Sequence, residues 1–306
     1  MMIQVVGHKN PDSDSICSAL VAAELLKARG LQAKAVRQGD INRETRFILE
    51  RAGVEQPEMC TGVAGQQVWL VDYSDLAQGP DDLAQAEILG IVDHHRLGDV
   101  TTAQPLEAWI WPVGCTNTIL FNLFRMEQAE ITRPLAILMM SAIISDTVGF
   151  ASPTCTEKDK EAVYALAKLA DIADLDLFIK DLLIAKTDIE GLSAAELVEK
   201  DLKGYPLNGR DVVVGQIELA TLEQVDGMLD ALNADLQARC DNEGLALAAL
   251  MLTDITTATT RLLYKGEWSA KLDAHADNGV LMMQNTLSRK SKVGRGCSRF
   301  WPDRIA

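Results

Sequence analysis

The sequence predicts an α/β fold in two domains: an N-terminal parallel sheet with helices on both faces, then a smaller C-terminal α/β domain. Three observations point there. Short continuous apolar runs, at Val68–Val71 and Ile88–Val92, have the pattern of strands buried on both faces. Helical segments separate such runs through the first half, the rhythm of a parallel sheet. After Lys186 the rhythm changes, and the remaining strands gather around one long helical segment. The length of 306 residues suits this division, at roughly 100–200 residues per domain.

In order, Ile3–Gly7 reads as a strand and Asp14–Ala28 as a helix whose Ser and Asp residues supply the N-cap, Asp14 itself being a candidate cap. Gly30 ends that helix, Leu31–Val36 alternates as a strand, and Asn42–Ala52 is an amphipathic helix stopped by Gly53. The two apolar runs follow, with a further strand at Ala108–Trp111. Helices are predicted over Thr116–Met126, Pro134–Ile144, Glu157–Leu169 and Leu175–Ala185. The domains are expected over 1–186 and 194–306, joined by a linker over 187–193 in "KTDIEGLS". In the second, Ser193–Lys200 and Thr221–Arg239 read as helices, and Asp211–Ile217, Leu245–Thr253, Thr259–Tyr264 and Val280–Met283 as strands.

A formal net charge of -15 argues against nucleic acid or an anionic membrane as a general partner, since both reward basic surface. No segment has the pattern of a signal peptide, and the longest apolar stretch, near Leu245–Leu252, is too short to span a bilayer. The six cysteines form no CxxC pair, which fits reduced thiols in a cytoplasm.

Histidine is the informative residue. There are four, and three of them, His8, His94 and His95, fall in two short acidic motifs, "HKNPDSD" and "VDHH". The predicted strand ends carry His8, then Asp12 and Asp14; Asp72; and Asp93 with His94 and His95. The helix ending in "SDT" adds Asp146. In open parallel sheets the carboxyl ends of the strands share one rim where ligands bind, so these side chains can meet. One such aspartate alone is ordinarily a turn former or cap; the coincidence of several with three of four histidines is not. Crowded carboxylates raise one another's pKa, and a divalent cation relieves that cost. Carboxylate and imidazole donors suit manganese, iron, cobalt or zinc, and with no cysteine among these residues a thiolate zinc site is not expected. The donors exceed what one ion needs; two ions sharing a carboxylate would use them and would activate a bridging water or hydroxide. Near the C-terminus "SRKSKVGRGCSR" gathers Arg289, Lys290, Lys292, Arg295 and Arg299, which with Lys203 in "DLKGY" form a positive pocket suited to phosphate. His275 has no partner motif.

These residues resemble the DHH phosphoesterase superfamily, and more narrowly the manganese-dependent (family II) inorganic pyrophosphatases. The match runs through "GHKNPDSDSICSAL", "VD" at Asp72, "VDHH", "VGCTNTIL", "SDTVGFASPTCTEKD", "DLK" and "SRK", nearly the whole chain. The resemblance implies a DHH domain followed by a DHHA2-type domain and hydrolysis of pyrophosphate to two orthophosphates. It implies that His8 and Asp12 hold one Mn²⁺, that Asp14, His94 and Asp146 hold the other, and that Asp72 bridges them. It also implies that His95 contacts and protonates the substrate, and that Lys203, Arg289 and Lys290 grip the phosphates. Co²⁺ is a possible substitute, Mg²⁺ enters with the substrate, and a cytoplasmic homodimer is expected. The chain departs from the family's frequent "VDHN" at Tyr73-Ser74 and from "SRKKQVVP" at Lys292. The alternative is a DHH exopolyphosphatase acting on short polyphosphates. A DHH nuclease is disfavoured by the "SRK" motif and by an aromatic content of 5%.

Overall fold

The computed structural model describes residues 2–207, 209–273 and 281–284. The chain forms two compact units, Met1–Lys186 and Thr187–Ala306. The first runs β1 (Ile3–Val6), α1 (Ser13–Ala28), β2 (Ala33–Arg37), α2 (Arg43–Ala52), β3 (Glu58–Met59), β4 (Gln67–Val71), β5 (Glu87–Asp93), β6 (Glu107–Ile110), α3 (Thr116–Met126), α4 (Arg133–Asp146), α5 (Glu157–Leu169) and α6 (Leu175–Lys186). Its six strands lie in the order β3-β2-β1-β4-β5-β6, and every pairing is parallel. The chain leaves β1 toward β2 on one side and later returns to place β4 on the other. That reversal opens a crevice at the carboxyl ends of β1 and β4, the place where such sheets bind ligands.

The strands alternate their side chains between two cores, as the pleat requires. Ile3, Val5, Trp69, Val71 and Val92 pack with the helices α1 to α5. Val6, Val68, Leu70, Ile88 and Ile91 face the other way, against Val63, Leu83 and flanking loops that include the 3₁₀ turns Leu76–Gln78 and Leu83–Gln85. Asp12, rather than Asp14, is the N-cap of α1, accepting from Ser15 N at 3.0 Å. A Cβ at Gly7 would lie 1.9 Å from Ser15 Oγ, so only glycine lets the chain leave β1 across the first turn of α1. In α4 every residue from Leu135 to Ser145 is buried, which makes it a helix without a solvent face.

The second unit contains α7 (Ala194–Glu199), β7 (Lys203–Leu207), β8 (Arg210–Leu219), α8 (Leu229–Glu243), β9 (Leu247–Asp254), β10 (Thr259–Lys265), α9 (Ser269–Asp273) and β11 (Leu281–Met283). Its sheet, β11-β10-β9-β8-β7, is mixed: among the described strands β8 and β9 pair parallel and the other pairings are antiparallel. Leu197, Leu232 and Leu236 of α7 and α8 cover one face. One expectation is corrected, and one strand had no counterpart in the sequence reading. The long helix over Thr221–Arg239 is a 3₁₀ segment, Leu222–Met228, followed by α8, because the Gln224 side chain turns back to accept from Ala220 N and Thr221 N. Lys203 begins an edge strand, β7, whose mixed "KGYPL" has no apolar alternation to mark it.

Candidate metal centre

Each central strand delivers its side chains to the crevice by a different local device. After β1, the His8 ring is fixed by Nδ1–H donating to Lys9 O at 2.7 Å, which turns Nε2 toward Asp12 Oδ1 (3.6 Å) and Asp72 Oδ2 (3.3 Å). After β5, His94 is fixed likewise, Nδ1 to Val113 O at 3.1 Å, with Nε2 near Asp72 Oδ1 (3.5 Å) and Asp14 Oδ2 (3.9 Å). A backbone carbonyl on one ring nitrogen orients the ring and turns the other nitrogen toward the carboxylates, the usual preparation of a metal-binding histidine. After β4, Asp72 takes a left-handed backbone, φ 67°. Its carboxylate is buried, Oδ1 accepts from Thr116 Oγ1 at 3.1 Å, and Oδ2 has no hydrogen-bond partner.

Asp14 is wholly buried and accepts from Thr116 N (2.8 Å), Asn117 Nδ2 (2.7 Å) and Ser18 Oγ (2.9 Å). Asp146 ends α4 and meets Asp14. Among the described residues, three groups of donor atoms, each within 4.8 Å of one another, result: His8, Asp12 and Asp72; Asp72, His94 and His95; Asp14, Cys115 and Asp146. Asp72 belongs to two of them. Cys115 corrects the expectation that no cysteine lies in the cluster. Its motif, "VGCTNTIL", was visible, but nothing in it announced a thiol facing carboxylates. Burial, then Asp14 and Asp146, push this thiol well up, which disfavours the thiolate.

The electrostatics are those of crowded, buried carboxylates. Burial and then Asp14 push the Asp72 carboxyl up to about 6, against the lowering effect of the nearby His8 and His94 rings. Burial, then Asp14, Asp12 and Asp72, hold Asp146 well above the usual carboxylate range. Burial opposes charge on His8 and His94, but the surrounding aspartates outweigh it and raise them to about 11 and about 9. Protons and imidazolium charge offset the crowded carboxylates, as a divalent ion would. The orphaned Asp72 Oδ2 and the oxygen-and-imidazole donor set fit Mn²⁺ or a similar ion.

His95 is placed differently. Its Nδ1 and its backbone N both lie 3.0 Å from Asp93 Oδ1, and its side chain is 54% exposed. It borders a cavity of about 490 Å³ with His8, Asp72, Tyr73, Ser74 and Arg96. Tyr73 packs into the apolar cluster on the far face of the sheet, and its hydroxyl has no hydrogen-bond partner. A supporting layer escaped the sequence reading. Asp159 accepts from Gly114 N (2.9 Å), Thr118 Oγ1 (2.5 Å) and Thr156 N (2.7 Å), fixing the segment that leads into Thr116 and Asn117. A Cβ at Gly114 would lie 2.9 Å from Asp159 Oδ2. Lys203 stands in the second unit, half exposed, its ammonium 3.9 Å from Asp201. Arg289, Lys290, Lys292, Arg295, Arg299 and His275 lie outside the described residues.

Residues 2–143 match the DHH family N-terminal domain, and residues 180–294 match the DHHA2 domain. A probable manganese-dependent inorganic pyrophosphatase of Archaeoglobus fulgidus is 38% identical over 95% of this chain and 96% of its own length. The chain belongs to the manganese-dependent inorganic pyrophosphatase family. Another member, from Methanocaldococcus jannaschii, is 35% identical over 95% of the chain and 97% of its own. The crystal structure of a Methanococcus jannaschii protein described as a putative family II inorganic pyrophosphatase superimposes with a TM-score of 0.65 at 36% identity, covering 95% of this chain and 97% of that one. An exopolyphosphatase-related protein from Bacteroides fragilis shares the fold, at a TM-score of 0.52 and 14% identity over 87% of this chain and 80% of that one.

Proposed function

We propose that the chain hydrolyses pyrophosphate to two orthophosphates at a dinuclear Mn²⁺ site. The observation that carries this reading is Asp72, a buried carboxylate shared by two donor groups with one oxygen lacking a hydrogen bond. His8 and Asp12 would hold one ion, Asp14, His94 and Asp146 the other, with Asp72 between them. The ions would supply Lewis-acid polarisation of phosphoryl oxygen and activation of water. His95 would serve the substrate rather than a metal. Asp93 engages its Nδ1, raises its pKa by that hydrogen bond, and leaves Nε2 to donate a proton to a phosphate oxygen. Lys203, Arg289 and Lys290 would neutralise the phosphates from the second domain, 194–306, across a linker at 187–193, and Mg²⁺ would enter with the substrate.

Metal-stripped protein given pyrophosphate should release phosphate when Mn²⁺ is restored, with Co²⁺ a partial substitute and Zn²⁺ and Mg²⁺ alone less effective. No release under any of these ions rejects the reading. The exopolyphosphatase alternative predicts faster turnover of tripolyphosphate than of pyrophosphate. We place the protein in the cytoplasm as a homodimer; the described cysteines are all free thiols, and no described helix is long and apolar enough to cross a membrane. Light scattering at twice the chain mass would support the dimer, and a single-chain mass would reject it.

A further inference from the structure

Beside the cluster lies a polar network that the proposed chemistry does not use. Lys186, the last residue of α6, donates to Ser145 Oγ at 2.9 Å and stands 3.6 Å from Glu44 Oε2. Glu44 is 5% exposed; its Oε2 also accepts from Ser13 Oγ at 2.9 Å, and its Oε1 has no hydrogen-bond partner. Ser13 separates Asp12 from Asp14, and Ser145 precedes Asp146, so the network touches both segments that bring carboxylates to the centre. A buried carboxylate such as Glu44 requires a cation, and Lys186 provides it. The same ammonium lies near enough to Asp12 and Asp146 to act electrostatically on both carboxylates.

We infer that Lys186 is a positioning residue of the metal centre, a built-in counter-cation that weakens the cluster's hold on divalent ions while fastening Ser145 beside Asp146. The inference rests on the reading of the cluster as a metal site. A fixed positive charge near a cation site repels the incoming ion, whereas Glu44 attracts it, so the two residues have opposite electrostatic effects on affinity. A network that served only to hold the fold would give no such opposition, since losing either partner would loosen the same contacts. Lysine suits the role because its charge is compact and its donors turn freely between Ser145 and Glu44.

The test is Mn²⁺ affinity of the metal-stripped full chain, measured by calorimetry without substrate. Lys186→Met should tighten binding and Glu44→Gln should weaken it, each by about threefold or more. Lys186→Arg should stay within about twofold of wild type, since the charge remains. Lys186→Met leaves Glu44 buried without its cation; if that variant fails to fold, Glu44→Gln and the double variant Lys186→Met/Glu44→Gln decide. The double variant should return toward wild type. Folded variants that weaken together, or that leave affinity unchanged, overturn the inference. Wild-type protein that binds no Mn²⁺ overturns the metal reading and this inference with it, whereas wild-type binding with unshifted variants overturns this inference alone.

Discussion

Asp72 combines a left-handed backbone with a buried carboxylate, two costs that a residue ending a strand need not bear. Glycine would remove the first and an apolar residue the second, so the carboxylate itself is what the position retains. Asp72→Ala should abolish Mn²⁺ retention and turnover together while the fold persists; elemental analysis finding two tightly held ions in that variant would refute the shared ligand. His95→Gln should lower kcat at least tenfold with metal content unchanged, within the range of general acid catalysis. Loss of metal instead would make His95 a ligand. The histidines also fix a sign. Raised to about 11 and about 9, His8 and His94 are protonated at neutral pH without metal and must lose those protons to bind it. Mn²⁺ binding should therefore release protons and tighten between pH 6 and 9, and the calorimetric heat should vary with the ionisation enthalpy of the buffer; an invariant heat would show that no proton is displaced. In the metal-free protein the stability from these two histidines is fully present below the ordinary value of 6.5 and is lost as pH rises through about 9 and about 11.

The elements that carry the site were legible to different degrees, for physical reasons. β1, β4 and β5 announce themselves because a strand buried on both faces must be continuously apolar, and the polar residues ending each run then stand out. His8, Asp72 and His94 stood out as candidates for that reason. β3, two residues long, and β7, an edge strand, bury too little to leave a pattern. Cys115, Asp159 and Lys186 act through contacts made only in the folded chain, and no spacing marks them. Asp159→Ala tests that supporting layer. It strips the partner from Gly114 N and the Thr118 hydroxyl, and should cost about 3 kcal/mol. The denaturation midpoint should fall with an unchanged slope, and Mn²⁺ affinity should fall with it because Thr116 and Asn117 lose their anchor. A stability loss without any change in affinity would show that the layer serves the fold alone.

At the scale of the whole molecule, every candidate metal ligand lies in the first unit, which has its own core, while the expected phosphate-gripping cations belong to the second. Metal binding and substrate binding should therefore separate. Residues 1–186 alone should fold and hold Mn²⁺ without efficient turnover, checked by circular dichroism and elemental analysis. In the full chain, Lys203→Ala and Arg289→Ala should raise KM roughly tenfold or more with metal content intact, as for lost charged contacts to phosphate. Parallel loss of metal would deny the division of labour.

The helix α4, with no exposed face from Leu135 to Ser145, has a mechanical consequence. Asp146 hangs from an element that cannot shift without disturbing the close-packed interior around it. His8 and Asp12, by contrast, belong to a surface loop in which Asn10 already adopts a left-handed φ of 52° and Asp12 is half exposed. One side of the crevice is thus stiff and the other compliant. Ions of different radius should be accommodated by displacement of His8 and Asp12 while Asp146 keeps its place. Crystals loaded with Mn²⁺ and with Zn²⁺ should differ there, on one side only.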